Sequence, residues 1–535
     1  EFICSLLLQR NINSLEKAKQ FFRPNLDLLH DPFLMKDMLK VVEMIEASKT
    51  KKIMILGDYD VDGTTSTAML FKYFDNKGFN VSYYIPDRYK EGYGVSLESI
   101  EYAEKNNFSL IVTVDCGIKA LSQVDLAKSK GIEVIICDHH LPGETLPNAY
   151  GIVNPKQVDC KYPFKDLCGC GIAFKLITAH NLISSDPCNI FEFIDFVALA
   201  TISDMMPLVD ENRLLVFYGL KRINENPRIG LRNFLKSINS KIDESKVSFN
   251  IGPRINAAGR MKHGQYAVDL LTETNVQTAE VYAKEIEDFN TDRREADKQI
   301  TIEALEHIET QKEQERFTTV VYSQDWHKGV IGIVASRLIE TYYRPTLVFT
   351  KSGSVLAASA RSVKGFDVYN ALEQCSEFIE QFGGHKYAAG LTLKPENYKN
   401  FKAKFEEIVS NTIDPKLLIP KIKIDAQINL SDITPKFYRI LSQFAPFGPN
   451  NMTPVFMTQA IKDTGWGKCV GEDQTHLRVT LAQKDSSKIV GIGFGLGSDL
   501  PIIKSKSPFK VVYSVDENEW NGRVSLQLKL KGIKT

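Results

Sequence analysis

Ile53-Met54-Ile55-Leu56-Gly57-Asp58-Tyr59-Asp60-Val61-Asp62-Gly63 is a short apolar run that ends in three alternating carboxylates. Its length and its aliphatic content predict a buried strand over 53–56, with the acidic residues at its carboxyl end. The same unit recurs downstream. Short apolar runs at 81–85, 110–114, 133–137 and 151–153 are separated in several places by helical stretches. Strands alternating with helices predict an open α/β fold with a parallel sheet. Such sheets place ligands beyond the carboxyl ends of their strands.

Three carboxylates at alternate positions repel one another unless a cation neutralises them. Hard oxygen donors suit Mg²⁺ or Mn²⁺. A calcium loop of the helix-loop-helix type is excluded, because the twelfth position from Asp58 is Met69 rather than Glu. A solvated acidic turn stays open for this motif alone. Two more predicted strands end in the same manner, in Asp115-Cys116-Gly117 and in Asp138-His139-His140. One Asp at a strand end is ordinarily a helix cap. Three strand ends in one sheet that together carry Asp and His, joined by Asp204 after the apolar stretch 191–203, predict a two-metal site in which one carboxylate bridges the ions.

The chain has 535 residues, enough for three or four domains. Residues 1–50 form a predicted helical lead-in, 51–275 the first α/β domain, and 276–315 a long solvated helix. A second, smaller α/β domain is predicted at 316–412 and an all-β barrel at 413–535. Alternation is clear in Leu477-Arg478-Val479-Thr480-Leu481 and in Val524-Ser525-Leu526-Gln527-Leu528. Asn521-Gly522 marks a hairpin turn before the last strand. There is no tandem repeat.

Apolar residues are 43% and charged residues 25%, as in ordinary globular domains, and no run is long and apolar enough to span a membrane. The first residues lack a basic leader and a small-residue cleavage site, so no signal peptide is expected. The first residue is not Met, which suggests a fragment. Nine scattered cysteines suit a reducing cytoplasm. Cys168-Gly169-Cys170 lacks the second pair that a zinc site needs, and both thiols are expected to be packing residues. Net charge is zero, yet residues 413–535 carry 17 Lys and Arg against 11 Asp and Glu, a modest sign of a polyanionic partner.

Asp138-His139-His140 resembles the signature of the DHH phosphoesterase superfamily. Asp58-Tyr59-Asp60-Val61-Asp62-Gly63, Val114-Asp115-Cys116-Gly117 and Ser203-Asp204 resemble its other motifs in order and spacing. Asp58 stands where many members have His, as in the RecJ branch. Gly383-Gly384-His385-Lys386-Tyr387-Ala388-Ala389-Gly390 resembles the signature of the associated DHHA1 domain. The segment Gly252 to Arg260 and the residues Asn290, Arg293 and Arg294 also resemble that branch. The resemblance covers essentially the whole chain.

The resemblance implies a DHH domain and a DHHA1 domain joined by a long helix, followed by an oligonucleotide-binding (OB) barrel. It implies two Mn²⁺ or Mg²⁺ ions, one held by Asp60 and Asp115 with Asp58 in support, the other by Asp62, Asp115, His139 and Asp204. Asp138 would orient a histidine, and His140 would contact the phosphate or aid the leaving oxygen. Arg88, Ser359 and Arg361 would hold a terminal 5′ phosphate, and Arg254, Asn256, Arg260, Gly384 and His385 would line the substrate track. The implied activity is 5′-to-3′ degradation of single-stranded DNA to mononucleotides in recombination and repair. A cytoplasmic monomer is expected, working with a single-strand-binding protein and a helicase. Phe444, Phe447, Trp466 and Trp520 are candidate base-stacking residues or barrel core. The alternatives are a DHH phosphodiesterase for short RNA or cyclic dinucleotides, and a non-catalytic replication scaffold on the same fold.

Overall fold

The computed structural model describes every residue except Glu1, Asn239, Asp485, Lys506 and Asn521; the side chain of Trp520 also lies outside the description. Strands β1 (Ile53–Gly57), β2 (Val81–Tyr84), β3 (Leu110–Val114), β4 (Glu133–Cys137) and β5 (Gly151–Val153) form one sheet in the order β2-β1-β3-β4-β5. All four pairings are parallel. β1 and β3 are buried along their whole length, because helices cover both faces. The strand order reverses beside β1, so the crevice lies at the carboxyl ends of β1 and β3. One large apolar core holds this domain together, including the helices Val61–Asn76, Gly169–Ile183 and Ile194–Ser203.

The helix Val276–Thr310 leads to the second domain. There β6 (Thr319–Tyr322), β7 (Thr346–Ser352), β8 (Val355–Arg361), β9 (Gln381–His385) and β10 (Ala388–Leu393) pair in the order β6-β7-β8-β10-β9. Only β6 and β7 pair in parallel; the remaining pairs are antiparallel.

The third sheet contains β11 (Ala426–Gln427), β12 (Phe456–Asp463), β13 (Lys468–Val470), β14 (His476–Ala482), β15 (Ile489–Gly493), β16 (Phe509–Trp520) and β17 (Arg523–Lys534). An added β12–β14 pairing closes it into a barrel. The predicted hairpin pairs β16 with β17; Gly522 has φ +73, and Asn521 lies outside the described residues. The region is less uniformly β than expected, since Pro435–Leu441 is a helix capped by Thr434.

The lead-in divides between two domains. Leu6 is buried among barrel residues, and Phe2, Ile3, Leu7, Phe21 and Phe22 pack against the same core. Met38, Val41, Val42 and Ile45 belong to the core of the first domain. Arg213 fastens the two bodies. Its guanidinium donates to the carbonyls of Phe444 (2.8 Å), Phe21 (3.2 Å) and Gln443 (3.2 Å). Among the described residues no helix is long and apolar enough to cross a membrane.

Candidate active site

The loop after β1 turns directly into the helix Val61–Asn76. Asp60 caps that helix by accepting from the Gly63 N–H at 3.1 Å. A Cβ on Gly63 would stand 2.4 Å from the Asp58 carbonyl, so only glycine lets the loop close this tightly. Asp62 points from the first turn toward a second helix terminus. Its two oxygens accept from the Gly169 and Cys170 N–H groups, both at 2.7 Å. Unpaired N–H groups and the helix dipole favour a carboxylate there. Cys168 caps that same helix through its sulfur, which accepts from the Gly171 N–H at 3.3 Å. Cys168-Gly169-Cys170 is thus more than packing. A Cβ at Gly169 would lie 2.6 Å from the Asp115 Cβ.

Asp115 follows β3 with φ +58, a left-handed conformation that turns its side chain back into the crevice. Asp58, Asp60 and Asp115 bring carboxylate oxygens within 4.8 Å of one another, and Asp62, His139 and Asp204 form a second such group. Asp115 lies between the two. Its Oδ1 is 3.2 Å from His139 Nε2, which also faces Asp204 at 3.8 Å and Asp62 at 3.9 Å.

Asp138 is outside both groups. It accepts from the Ile118 N–H, the His140 N–H and His140 Nδ1, the last at 2.7 Å. Burial alone would raise its pKa, but the bonds from His140 outweigh that and hold it below the usual range. The same contact raises His140 despite its partial burial.

The charges of the two groups fit divalent cations. Burial, and then the charge of Asp60, push Asp62 up to about 6. Burial, and then Asp62, push Asp204 up to about 8. Asp58 and Asp115 rise well above the normal range for the same reasons. Burial, with a further contribution from His140, lowers His139 to about 3, which leaves a neutral imidazole. Buried Oδ1 atoms of Asp58 and Asp115 have no hydrogen-bond partner. Mutually destabilised carboxylates with free lone pairs, beside a neutral imidazole, are the donor set for Mn²⁺ or Mg²⁺.

A basic cluster stands on the side of the second domain. Burial, then the charges of Arg88 and Arg361, lower the Arg260 guanidinium to about 10. Arg88 lies over the Tyr59 ring at 4.9 Å, Arg361 donates to Ser359 Oγ at 3.1 Å, and Arg260 donates to the Gly329 carbonyl at 3.1 Å. Among the described residues none of the three pairs with a carboxylate within 4 Å. A Cβ on Gly332, in the first turn of the helix Ile331–Thr341, would meet Ser359 Oγ at 2.9 Å and the Arg361 guanidinium at 3.1 Å. Crowded like charges at a helix N-terminus favour a bound anion. The charges of Arg361 and His140 reach His385 and, after burial, lower it further.

Some expected track residues have other partners. Arg254 pairs with Glu287 at 2.6 Å and donates to the Asn250 carbonyl at 2.9 Å, so its guanidinium is already engaged. Asn256 accepts from the Val61 N–H at 3.1 Å and steadies the acidic loop. Gly384 has φ +144, and a Cβ there would stand 2.4 Å from the Ala388 carbonyl; the β9–β10 hairpin itself requires the glycine. Phe444 is barrel core, edge-on to Phe21 and Phe22, and does not face solvent. Phe447 is half-buried, whereas Trp466 is exposed. Tyr93 carries no signal in the sequence. Its hydroxyl donates to the Asp115 carbonyl at 2.9 Å and lies 3.3 Å from His140 Nε2.

Comparison with known proteins agrees with this architecture. The profile of the DHH family, N-terminal domain, matches residues 52–201; the DHHA1 domain matches 315–411 and the RecJ OB domain 424–532. The single-stranded-DNA-specific exonuclease RecJ of Bacillus subtilis (strain 168) is 37% identical over 99% of this chain and 67% of its own length. That of Escherichia coli (strain K12) is 35% identical over 90% of this chain and 87% of its own. The crystal structure of RecJ in complex with Mn²⁺ from Thermus thermophilus superposes with a TM-score of 0.86 at 26% identity, covering all of this chain and 76% of that one. A Mg²⁺ complex from the same organism gives a TM-score of 0.79 at 25% identity over all of this chain and 74% of that one. With three domains in this order and near-complete coverage, the chain belongs to the RecJ family of DHH phosphoesterases.

Proposed function

We propose that this protein is a Mn²⁺- or Mg²⁺-dependent exonuclease that degrades single-stranded DNA from the 5′ end to mononucleotides. The observation that carries this reading is the carboxylate–imidazole cluster around Asp115 beside an unpaired arginine cluster. Asp60 and Asp115, with Asp58, would hold one ion, and Asp62, Asp115, His139 and Asp204 the other. When bound, the ions supply Lewis acidity, lowering the pKa of water and offsetting negative charge on the phosphate.

The remaining work falls to side chains of the chain itself. Arg88, Arg361 and Ser359, with Arg260 behind them, grip a terminal 5′ phosphate and thereby select chain ends. Asp138 fixes the His140 ring, which donates a hydrogen bond to the scissile phosphate or a proton to the departing 3′ oxygen. His385 lines the track on the opposite wall. The protein works as a cytoplasmic monomer in recombination and repair, with a single-strand-binding protein and a helicase as partners.

The test is digestion of end-labelled single-stranded DNA, with and without a 5′ phosphate, with Mn²⁺ or Mg²⁺ supplied. Release of mononucleotides from the phosphorylated 5′ end is expected. Preference for a dinucleotide or for duplex DNA would refute the reading.

A further inference from the structure

The chain that follows Asp204 is anchored on the barrel. Asp204 caps the helix Ile194–Ser203, and its N–H donates to the Ala200 carbonyl at 2.8 Å. The backbone then turns at once. The Met206 N–H donates to the Thr201 carbonyl at 3.0 Å, and Met205 has φ +54. Two residues further on, the Leu208 N–H leaves the first domain and donates to the Pro449 carbonyl at 2.8 Å. A Cβ on Gly448 would stand 2.7 Å from Leu208 Cδ1, so the barrel chain lies directly against this buried side chain. The buried Asn212 ties the same turn to the next helix by donating to the Pro207 carbonyl at 3.0 Å. Its neighbour Arg213 reaches the barrel carbonyls of Phe444 and Gln443.

The same barrel segment makes a second contact that leads to the acidic loop. The Phe447 N–H donates to Glu244 Oε1 at 2.9 Å. Glu244 opens a helical run that continues through Val247–Ile251 into the helix Gly252–Met261. That helix meets the metal-centre loops at three points. Asn256 Oδ1 accepts from the Val61 N–H. A Cβ on Gly259 would stand 2.5 Å from the Tyr59 carbonyl, and one on Gly252 would stand 2.7 Å from Ser203 Oγ, on the residue before Asp204.

Asp204 depends on this support more than its neighbours do. Asp62 is held by two N–H groups and Asp60 by one. Among the described residues no N–H or O–H donates to the Asp204 carboxylate, whose side chain is 34% exposed. Its place is set by its backbone, and four residues on that backbone is fixed to Pro449. Small divalent ions demand near-ideal oxygen geometry, so a small shift of one ligand weakens them.

We propose that the barrel segment 443–451 is a positioning element of the metal centre, attached through Leu208 and Glu244, so that ion affinity at the Asp62–His139–Asp204 group depends on the docked barrel. This rests on the two-ion reading above. It gives the barrel a part in the chemistry that is separate from any grip on DNA.

The test uses the full chain. Bound Mn²⁺ is counted from the electron paramagnetic resonance signal of the free ion, and activity on single-stranded DNA is followed against Mn²⁺ concentration. Glu244→Ala and Gly448→Ala disturb the contact from its two sides. Each should weaken one of the two ions about tenfold. Each should lower kcat at limiting Mn²⁺, with recovery at saturating Mn²⁺ and KM for DNA unchanged. Glu244→Gln keeps an oxygen that accepts from the Phe447 N–H and should restore wild-type ion binding. The grouped carboxylates and histidines all belong to the first domain, so a barrel that only holds the strand would leave Mn²⁺ binding untouched in Gly448→Ala. Unchanged Mn²⁺ binding in either alanine variant, a loss confined to KM, or a Glu244→Gln as weak as Glu244→Ala would overturn the proposal. A wild-type protein that binds no Mn²⁺ would instead refute the metal assignment itself.

Discussion

The acidic floor and the basic wall of the site are built by opposite rules. Most of the acidic side chains come from the ends of the adjacent parallel strands β1 and β3, with Asp204 at the end of the helix Ile194–Ser203, and three of them are fixed by nearby backbone. Asp62 is held by two N–H groups, Asp60 by one, and Asp115 by its own left-handed turn. The basic side chains come from a loop, a helix end and the end of β8, in two domains. Arg88 rests on an aromatic ring, and Arg260 reaches one carbonyl across the domain boundary. A preorganised floor keeps its geometry whether or not substrate is present. A wall assembled across a boundary depends on how the two domains meet. The floor suits chemistry and the wall suits selection.

Substitutions can break this contrast. On the floor, Asp62→Asn or His139→Ala should lower kcat by at least about 10²–10³-fold. Wild-type rates in either variant would refute the metal assignment. On the wall, Arg361→Ala should cost about 10–100-fold in kcat/KM on 5′-phosphorylated DNA and much less on a 5′-hydroxyl end. Equal losses on both ends would remove the terminal-phosphate role. Gly169→Ala should weaken Mn²⁺ about tenfold in a titration of activity against metal, because the added methyl displaces Asp115. Tyr93→Phe should lower kcat roughly two- to tenfold with little change in KM, since it removes one hydrogen bond beside His140.

The smallest effect concerns pH. In metal-free protein the folded values of Asp62 and Asp204, about 6 and about 8, lie above their ordinary value of 3.8. Stability from these groups is full below that ordinary value and is lost as pH rises through the folded values. The melting temperature of metal-free protein should therefore fall between about pH 4 and 8, and saturating Mn²⁺ should flatten that slope. A slope of the opposite sign would show that these carboxylates are not crowded.

The contrast also explains what the sequence revealed. Asp58, Asp60, Asp62, Asp115 and His139 were legible because strand ends are legible, and one parallel sheet must gather neighbouring ends. Asp204 was legible from its place after an apolar helix. The wall was read mainly through resemblance, and only in part. Arg254 and Asn256 look like DNA contacts in one dimension, yet Glu287 and the Val61 N–H claim them in three. The Gly169 and Cys170 N–H groups carry no side-chain signal at all. Phe444 reads equally as a stacking platform or as core until Phe21 and Phe22, from the far end of the chain, are found beside it.

That last contact has a consequence for how the chain is made. Leu6 is fully buried in a barrel core whose other members begin at Ile428. At a synthesis rate of about 5–20 residues per second, the first helices wait roughly 20–80 s before the surface that buries them exists. During that interval Leu6, Leu7, Phe21 and Phe22 have only temporary shelter. A ribosome-bound chain halted before residue 428 should thus be a far better chaperone client than the finished protein.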